Sequence, residues 1–543
     1  MKRGGRVIGV LRHCALGLAL WFPATVMAAV CATGTVYEDG NGNGRRDAGE
    51  RGIGAVAVSD GETVVRTDAQ GRYALPAAPG GTVFAIKPAG YAFAKRADGL
   101  PDFWRHLPDP APPSLKYGGI RADAIPADCD IALLKAPPAR SGDGLRVLVF
   151  GDPQPKSRVD VDYYRRDIVE PLLRAHATGG DTAPGDLGIT LGDVVHDDLS
   201  LYPAMNAITA RLGAPWLHVA GNHDLDFDAA HDADSLRSFR QVYGPDTFAW
   251  EEHEAVVIGL DNVIYQPDQR PQYVGGLRED QFAFLQAYLP GVPKDRLLVL
   301  AMHIPLFEAA GRDTFRDADR ERLFALLRDF PQVLLLTAHQ HTQQHVFHDA
   351  ANGWHGASPL HEYNVGAACG AFWSGVKDAQ GIPAATMADG TPNGYASLTV
   401  RGGGSYVLRY HAARERDDAG IALHAPRVLR RGAYPAWGVY ANVFMGLDDT
   451  PVEFRIDDGA WQPMAKVRQP DPALLAENAR DDAAPALRGY DRSPEAVPSS
   501  HLWRGALPTN LAPGEHRIEV RAQDRWRGEL RASAAYRLEE AAP

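Results

Sequence analysis

The sequence predicts a central α/β domain, in which helices are layered with sheet, between two all-β domains. Five apolar segments in the middle of the chain predict buried strands, and segments of helical periodicity lie between them. In the segments before and after this central region, polar and apolar residues alternate, which predicts strands with one buried and one solvent-exposed face. A chain of 543 residues is also too long for one hydrophobic core. We therefore expect domains over residues 30–135, 145–410 and 411–543.

The composition is that of a folded protein with an acidic surface. Hydrophobic residues make up 45% and charged residues 23% of the chain, and the formal net charge is -12. An acidic protein is poorly suited to binding a nucleic-acid backbone, so we expect no nucleic-acid partner. A small anionic substrate is still compatible with this charge, because a bound metal ion supplies a local positive field.

The first 28 residues have the three parts of a secretory signal peptide. Basic residues continue to Arg12, an apolar stretch runs from Cys14 to Phe22, and small residues surround Ala28. The apolar stretch is short for a membrane span, so we expect no transmembrane segment after signal removal. The sequence predicts export to the periplasm or outside the cell. There, Cys31 and Cys129 could form a disulfide, whereas Cys369 is predicted to be a buried thiol.

The N-terminal domain is predicted to be a β-sandwich that carries a calcium-type loop. The segment 39–50, DGNGNGRRDAGE, matches the spacing of an EF-hand loop. Oxygen ligands at alternate positions can wrap a hard cation, and a glycine permits the sharp turn. The candidate residues are Asp39, Asn41, Asn43, Gly44, Asp47 and Glu50. The alternative is a solvated turn. The segment also resembles the calcium-binding B-type repeats of bacterial surface adhesins, which implies a structural ion.

Helices of the central domain are predicted from apolar residues that recur every three or four positions. Phe282, Leu285 and Leu289 follow this spacing, and so does the segment 323–330. The segment 164–172 follows it too, and Pro171 is expected to kink that helix. Each of these helices can bury one face against a sheet.

Each of the five predicted strands ends in residues that commonly bind metal ions. The residues are Asp152 and Gln154, Asp193, Asn222 with His223, His303, and His339 with His341. Polar residues placed at the carboxyl ends of parallel strands meet at one edge of a sheet. The sequence therefore predicts a single metal site assembled from five strand ends.

Residues around this site are candidates for substrate contact. His196 follows Asp193 closely, and the glycine-rich segment after His341 contains Trp373, Asn393 and Tyr395. Long loops in enzymes are often binding loops, but packing of these side chains against the scaffold is an equal alternative. From residue 411 onward the pattern predicts strands again, with a long surface excursion over 466–500.

The motifs GDPQ, GDVVHD, GNHD, MHIP and AHQH occur in this order between residues 151 and 341. In kind and order they resemble the calcineurin-like, purple-acid-phosphatase-like metallophosphoesterases. The resemblance covers residues 145–410, and the flanking domains resemble the β modules of exported bacterial members. It implies an α-β-β-α sandwich for the central domain.

The resemblance also implies roles for individual residues. One metal ion would be held by Asp152, Gln154, Asp193 and His341, and the second by Asp193, Asn222, His303 and His339. His223 would act as general acid, with Asp224 as its orienting partner. Two cations about 3.5–4 Å apart need a shared carboxylate between them, which is the role implied for Asp193.

The predicted function is that of an exported metal-dependent phosphoesterase. It would hydrolyse a small or envelope-derived phosphomonoester or phosphodiester by a metal-bridging hydroxide, using two Mn, Fe or Zn ions. Gln154 departs from the usual histidine, and an amide oxygen is a weaker ligand. The alternative is therefore a non-catalytic surface or binding protein with a degenerate metallophosphoesterase domain. Hydrolysis of a different bond is a third alternative, which no specific residue favours.

Overall fold

The computed structural model describes residues 33–124, 128–136, 144–177, 185–307, 315–416, 418–434, 437–489 and 491–541. The predicted signal peptide and Cys31 lie outside the described residues. Cys129 is disulfide-bonded, but its pairing with Cys31 stays a prediction. Cys369 is a buried free thiol, as predicted. Within the described part of the chain, no helix combines the length and apolar character needed to cross a bilayer.

The N-terminal domain consists of two four-stranded sheets that share an apolar core. One has the strand order β4-β1-β8-β6 and the other β3-β2-β5-β7. The calcium-type loop follows the first strand directly. The strands are β1 (Thr33–Glu38), β2 (Ala57–Ser59), β3 (Val64–Arg66), β4 (Arg72–Ala74), β5 (Thr82–Ala85), β6 (Tyr91–Ala92), β7 (Trp104–His106) and β8 (Ile131–Lys135).

The central domain is built on two sheets, one of five and one of six strands, with orders β11-β10-β9-β20-β21 and β12-β13-β16-β17-β19-β18. A separate hairpin pairs β14 with β15. The strands are β9 (Leu145–Phe150), β10 (Leu187–Leu191), β11 (Trp216–Val219), β12 (Thr247–Glu251), β13 (Ala255–Leu260), β14 (Val263–Tyr265), β15 (Tyr273–Gly275), β16 (Leu297–Ala301), β17 (Val333–Thr337), β18 (Gln344–His348), β19 (Leu360–Asn364), β20 (Gly394–Val400) and β21 (Tyr406–Ala412).

The strands that precede the predicted ligands run parallel within each sheet. In the first sheet, β9 pairs with β10 and β10 with β11 in parallel register. In the second, β16 and β17 form another parallel pair. These strands are almost wholly buried, as their continuous apolar sequences predict. Their carboxyl ends therefore deliver the metal-ligand residue types to one region between the sheets.

Among the described residues, six α-helices accompany the two sheets: α1 (Arg158–Tyr164), α2 (Glu170–Ala177), α3 (Tyr202–Thr209), α4 (Arg237–Tyr243), α5 (Glu279–Tyr288) and α6 (Asp317–Leu327). The helices α1 and α2 are joined by a π-helical turn over residues 165–169. This turn lies just before Pro171, which cannot supply a backbone N–H to a regular α-helix. The α/β core between β domains that the sequence predicts is thus confirmed.

The C-terminal domain contains two further sheets, ordered β22-β24-β28-β27 and β23-β30-β29-β25-β26. The predicted surface excursion over 466–500 carries a helix that the sequence pattern did not indicate, α7 (Pro472–Ala483). Asp471 caps it by accepting bonds from two backbone N–H groups, and proline occupies its first position. The strands are β22 (Ile421–His424), β23 (Val428–Arg430), β24 (Gly438–Val443), β25 (Val452–Ile456), β26 (Gln462–Pro463), β27 (Ala465–Val467), β28 (Leu502–Ala506), β29 (Gly514–Asp524) and β30 (Gly528–Glu539).

Candidate active site

Two groups of metal-ligand side chains lie next to each other at the strand ends. In one group, donor atoms of Asp152, Asp193 and His341 all lie within 4.8 Å of one another. In the other, the same holds for Asp193, His303 and His339. The Oδ1 atom of Asn222 lies 3.1 Å from His303 Nε2, which places it beside the second group. Asp193 belongs to both groups, as a bridging ligand must.

The backbone at these residues is strained. Asp152, Gln154, Asp193, His339 and His341 all have positive φ, between 39° and 69°. Residues other than glycine rarely adopt this backbone conformation, and each such residue costs about 1–3 kcal/mol. Strain of this kind persists only where the surrounding fold enforces it. At this site, the positive φ values occur just after the strands end, where the chain turns and presents these side chains to the cluster.

The protonation states of the cluster suit metal binding. Burial lowers the pKa of His303 and of His339 to about 3, and that of His341 to about 4. These imidazoles are therefore neutral and have a lone pair available. Backbone oxygens fix the rings, since Leu191 O lies 2.8 Å from His303 Nδ1 and Gly370 O lies 2.5 Å from His341 Nδ1.

In the part of the chain that the structure describes, the two central carboxylates have no lysine or arginine partner. Burial, together with the charge of Asp193, raises the pKa of Asp152 well above its usual range. Among the described residues, no lysine or arginine forms an ion pair with Asp152 or Asp193. Two buried carboxylates side by side are costly unless a cation lies between them. The donor set therefore fits divalent metal ions.

Gln154 is at the cluster, but its amide nitrogen faces a carboxylate. Gln154 Nε2 donates to Asp193 Oδ2 over 3.0 Å, and Gln154 Oε1 lies 3.7 Å from Cys369 Sγ. In this orientation the amide supports the carboxylate of Asp193. Ligation through Oε1, as the sequence resemblance implies, requires the amide to rotate.

His223 is oriented by a residue that sequence reasoning did not assign. Its Nδ1 lies 2.7 Å from Asp197 Oδ1, and its backbone N–H donates to Asp193 Oδ1 over 2.9 Å. Burial lowers the pKa of His223, but the charges of Asp193 and Asp197 outweigh it, so the pKa stands above its usual value. The expected partner, Asp224, does not contact this ring in the hydrogen-bond network.

Asp224 instead holds the backbone around the site. The carboxylate accepts hydrogen bonds from the N–H groups of Gly221 and Val194, and from the hydroxyl of Tyr202. Burial and the charge of Asp193 raise the pKa of Asp224 to about 7. Its orienting role is therefore exerted on two metal-site loops, which corrects the expectation that it orients the imidazole.

His196 lies beside His223, and its contact with substrate stays a prediction. The two rings stack with centroids 4.1 Å apart. Burial and the charge of His223 lower the pKa of His196 to about 4, so His196 is neutral. The pair combines an imidazole with a raised pKa and one that stays uncharged.

The other expected substrate contacts are placed in the interior. Trp373 is 1% exposed, and its Nε1 donates to Pro153 O between Asp152 and Gln154. Asn393 is fully buried and donates to Asp167, while Tyr395 stacks on His411. These side chains pack within the scaffold, which favours the second of the two alternatives that the sequence left open. Glycine-rich sequence alone does not distinguish an exposed loop from a buried one.

The loop that carries His341 is braced by the C-terminal domain. Gln343 N donates to Asp389 Oδ2 over 2.8 Å, and the same oxygen lies 3.1 Å from His501 Nε2. His501 Nδ1 in turn lies 2.8 Å from Asn442 Oδ1. All four side chains are buried. A continuous polar network therefore runs from the C-terminal domain to within two residues of a candidate ligand.

Comparison with known proteins gives three family matches along the chain. Residues 145–343 match the model described as calcineurin-like phosphoesterase. Residues 40–115 and 362–529 match those described as the N terminal and the C terminal of calcineurin-like phosphoesterase. A sequence search of curated proteins found no match.

Two solved structures are similar to parts of the chain. One is the purple acid phosphatase PPD1 from yellow lupin seeds, with 12% identity and a TM-score of 0.38, covering 66% of this chain and 67% of that one. The other is GAP50, the anchor in the inner membrane complex of Plasmodium, with 13% identity and a TM-score of 0.31, covering 50% of this chain and 86% of that one. With its three family matches in order, the chain belongs to the calcineurin-like phosphoesterases and is a metal-dependent phosphoesterase.

Proposed function

We propose that the protein is an exported hydrolase that cleaves a small or envelope-derived phosphoester at a dinuclear metal site, with His223 as general acid. The observation that carries the proposal is the position of Asp193. It belongs to both groups of metal-ligand side chains and also accepts a hydrogen bond from the backbone of His223. The metals and the proton donor are thereby tied to one carboxylate.

The candidate ligands divide into one set for each metal ion. Asp152, Asp193 and His341 would hold one ion, and Asp193, Asn222, His303 and His339 the other. Gln154 would complete the first set after rotation of its amide. The ions, of Mn, Fe or Zn, would polarise the phosphoryl oxygens and lower the pKa of an attacking water.

His223 would deliver the proton to the leaving oxygen. Its Nδ1–H is directed at Asp197, so Nε2 is the atom free to carry that proton. The raised pKa favours the protonated form of the ring, and protonation spares the leaving group its negative charge. Neutral His196, stacked against it, would donate a hydrogen bond to a phosphoryl oxygen.

The test is hydrolysis of a phosphomonoester and of the matching phosphodiester by the mature protein, stripped of metal and then resupplied with Mn, Fe or Zn. We expect metal to restore turnover and His223→Ala to reduce it by about 10²–10⁴-fold while metal affinity is retained. The preferred substrate then assigns the subclass. Metal binding without turnover of any phosphoester would contradict this proposal and favour the non-catalytic surface or binding protein.

We also propose that the segment 39–50 binds a structural calcium ion. The carboxylate of Asp39 accepts hydrogen bonds from the backbone N–H groups of Gly42 and Gly44, so the segment folds around it. Asn41 and Asn43 both direct their amides at Asp47. Oxygen-rich loops of this spacing are suited to calcium. Thermal unfolding with calcium and with a chelator tests the proposal, and an unchanged midpoint contradicts it.

A further inference from the structure

Two neighbouring aromatic residues beside the active site have strained backbones, but only one is buried. Phe372 has φ of 58° and Trp373 has φ of 55°. For bulky side chains each such conformation costs about 1–3 kcal/mol. Trp373 is 1% exposed and donates to Pro153 O, so packing and hydrogen bonding offset its strain. Phe372 is 40% exposed, and burial in the fold does not account for its placement.

Phe372 lies directly against the catalytic groups. Its ring centroid is 4.6 Å from that of His341 and 6.0 Å from that of His196. It thus touches a candidate metal ligand on one side and the neighbour of the general acid on the other. The anchoring of Trp373 to the loop of Asp152 fixes Phe372 relative to both. A half-exposed ring held at this position forms part of the wall that a bound substrate meets.

A lysine completes this wall. Lys156 Nζ lies 4.9 Å from the centre of the Phe372 ring, a cation–π arrangement. Its backbone N–H is fixed by Asp160, at the start of α1. Within the described residues, the ammonium forms no ion pair. The side chain is half-buried, which strengthens its attraction for an anion relative to a fully solvated lysine.

We propose that Phe372 and Lys156 form a recognition wall that selects phosphoesters whose leaving group carries a planar apolar body and a second anionic group. This inference rests on the proposed function, since it assigns specificity to that same site. In the proposed function, the metal ions and His223 would meet the charge of the scissile phosphate. The Lys156 ammonium is therefore available to a different anion, and the ring of Phe372 offers apolar contact beside it.

The test uses two aryl phosphates that differ in one charge, 4-carboxyphenyl phosphate and its neutral 4-carboxamide. We expect the metal-loaded wild type to favour the carboxylate, and Lys156→Met to lower that preference about fivefold to tenfold. Comparing the ratio of kcat/KM values between proteins cancels the difference in leaving-group reactivity. Phe372→Leu should lower kcat/KM for both aryl phosphates by about fivefold, with a smaller effect on glycerol phosphate.

A matched control is Lys294→Met. Lys294 also lies over a phenylalanine ring, that of Phe330, but it precedes β16 at the end of the strand opposite to His303. The Lys294→Met variant should have the same kcat/KM values as wild type and the same preference for the carboxylate over the carboxamide. Calorimetric binding of the corresponding non-hydrolysable phosphonates gives the same comparison without turnover.

The outcomes separate the two proposals. If wild type turns over neither these phosphomonoesters nor the matching phosphodiesters, the proposed function fails. If wild type turns over both aryl phosphates and Lys156→Met has the same preference as wild type, the phosphoesterase stands and the recognition wall is refuted.

Discussion

Asp197→Asn tests whether the hydrogen bond to His223 tunes the general acid. A general acid acts only when protonated, so activity falls as pH rises through its pKa. The pKa of His223 is raised in part by Asp197, and removal of that charge lowers it. The basic limb of the kcat/KM profile should therefore move to lower pH in the variant.

The size of the shift follows from the geometry. A hydrogen bond between charged groups contributes about 1.5–3 kcal/mol when shielded from water. The bond is short, at 2.7 Å, but the Asp197 side chain is 48% exposed. Solvent screening reduces the value to about 1–1.5 kcal/mol, which corresponds to about one pH unit. The expected change is thus a basic limb displaced by about one unit toward acid.

The assay is a pH profile with an alkyl phosphate, whose poor leaving group depends on protonation. Asp457→Asn is a matched control, because Asp457 Oδ2 lies 2.8 Å from His516 Nδ1 and its side chain is 49% exposed, in the C-terminal domain. Its profile should coincide with that of wild type. An active Asp197→Asn protein with an unmoved basic limb would refute the reasoning.

Three further changes test other parts of the structure. Gln154→His replaces an amide by a stronger ligand and should tighten binding of one metal ion about tenfold by calorimetry, whereas unchanged affinity would show that residue 154 is not a ligand. Tyr202→Phe removes the hydroxyl that donates to Asp224 and should lower the free energy of unfolding by about 1–2 kcal/mol in urea titration. Asp39→Asn should abolish any calcium-dependent rise in Tm, and a rise equal to that of wild type would exclude Asp39 as a ligand.

Much of the candidate site could be predicted because it follows from strand ends. Asp152, Asp193, His303 and His339 each come directly after an apolar strand, and parallel strands bring such positions together. Because each strand is indicated by a local run of apolar residues, the sequence was sufficient to predict where these candidate ligands lie. The α/β class followed from the same alternation of strands with helices.

Contacts between loops could not be predicted in the same way. The partner of His223 depends on how the loop after β10 folds back. The sequence resemblance implied Asp224, whereas the folded loop places Asp197 against the ring. The burial of Trp373 depends on the strained turn that carries it. Helix α7 was missed even though Asp471 and Pro472 form a start signal, because the segment's proline, aspartate and alanine content resembled that of a loop.

The hydrogen bond between Asp389 and His501 has a consequence for truncating the protein or exchanging its C-terminal domain. All candidate metal ligands lie before residue 342, so a fragment ending at Ala412 contains the complete donor set. Such a fragment nevertheless leaves Asp389 without its imidazole partner, next to the loop that carries His341. A foreign C-terminal domain that places a histidine at this contact would preserve the hydrogen bond to Asp389 and with it the support of the His341 loop.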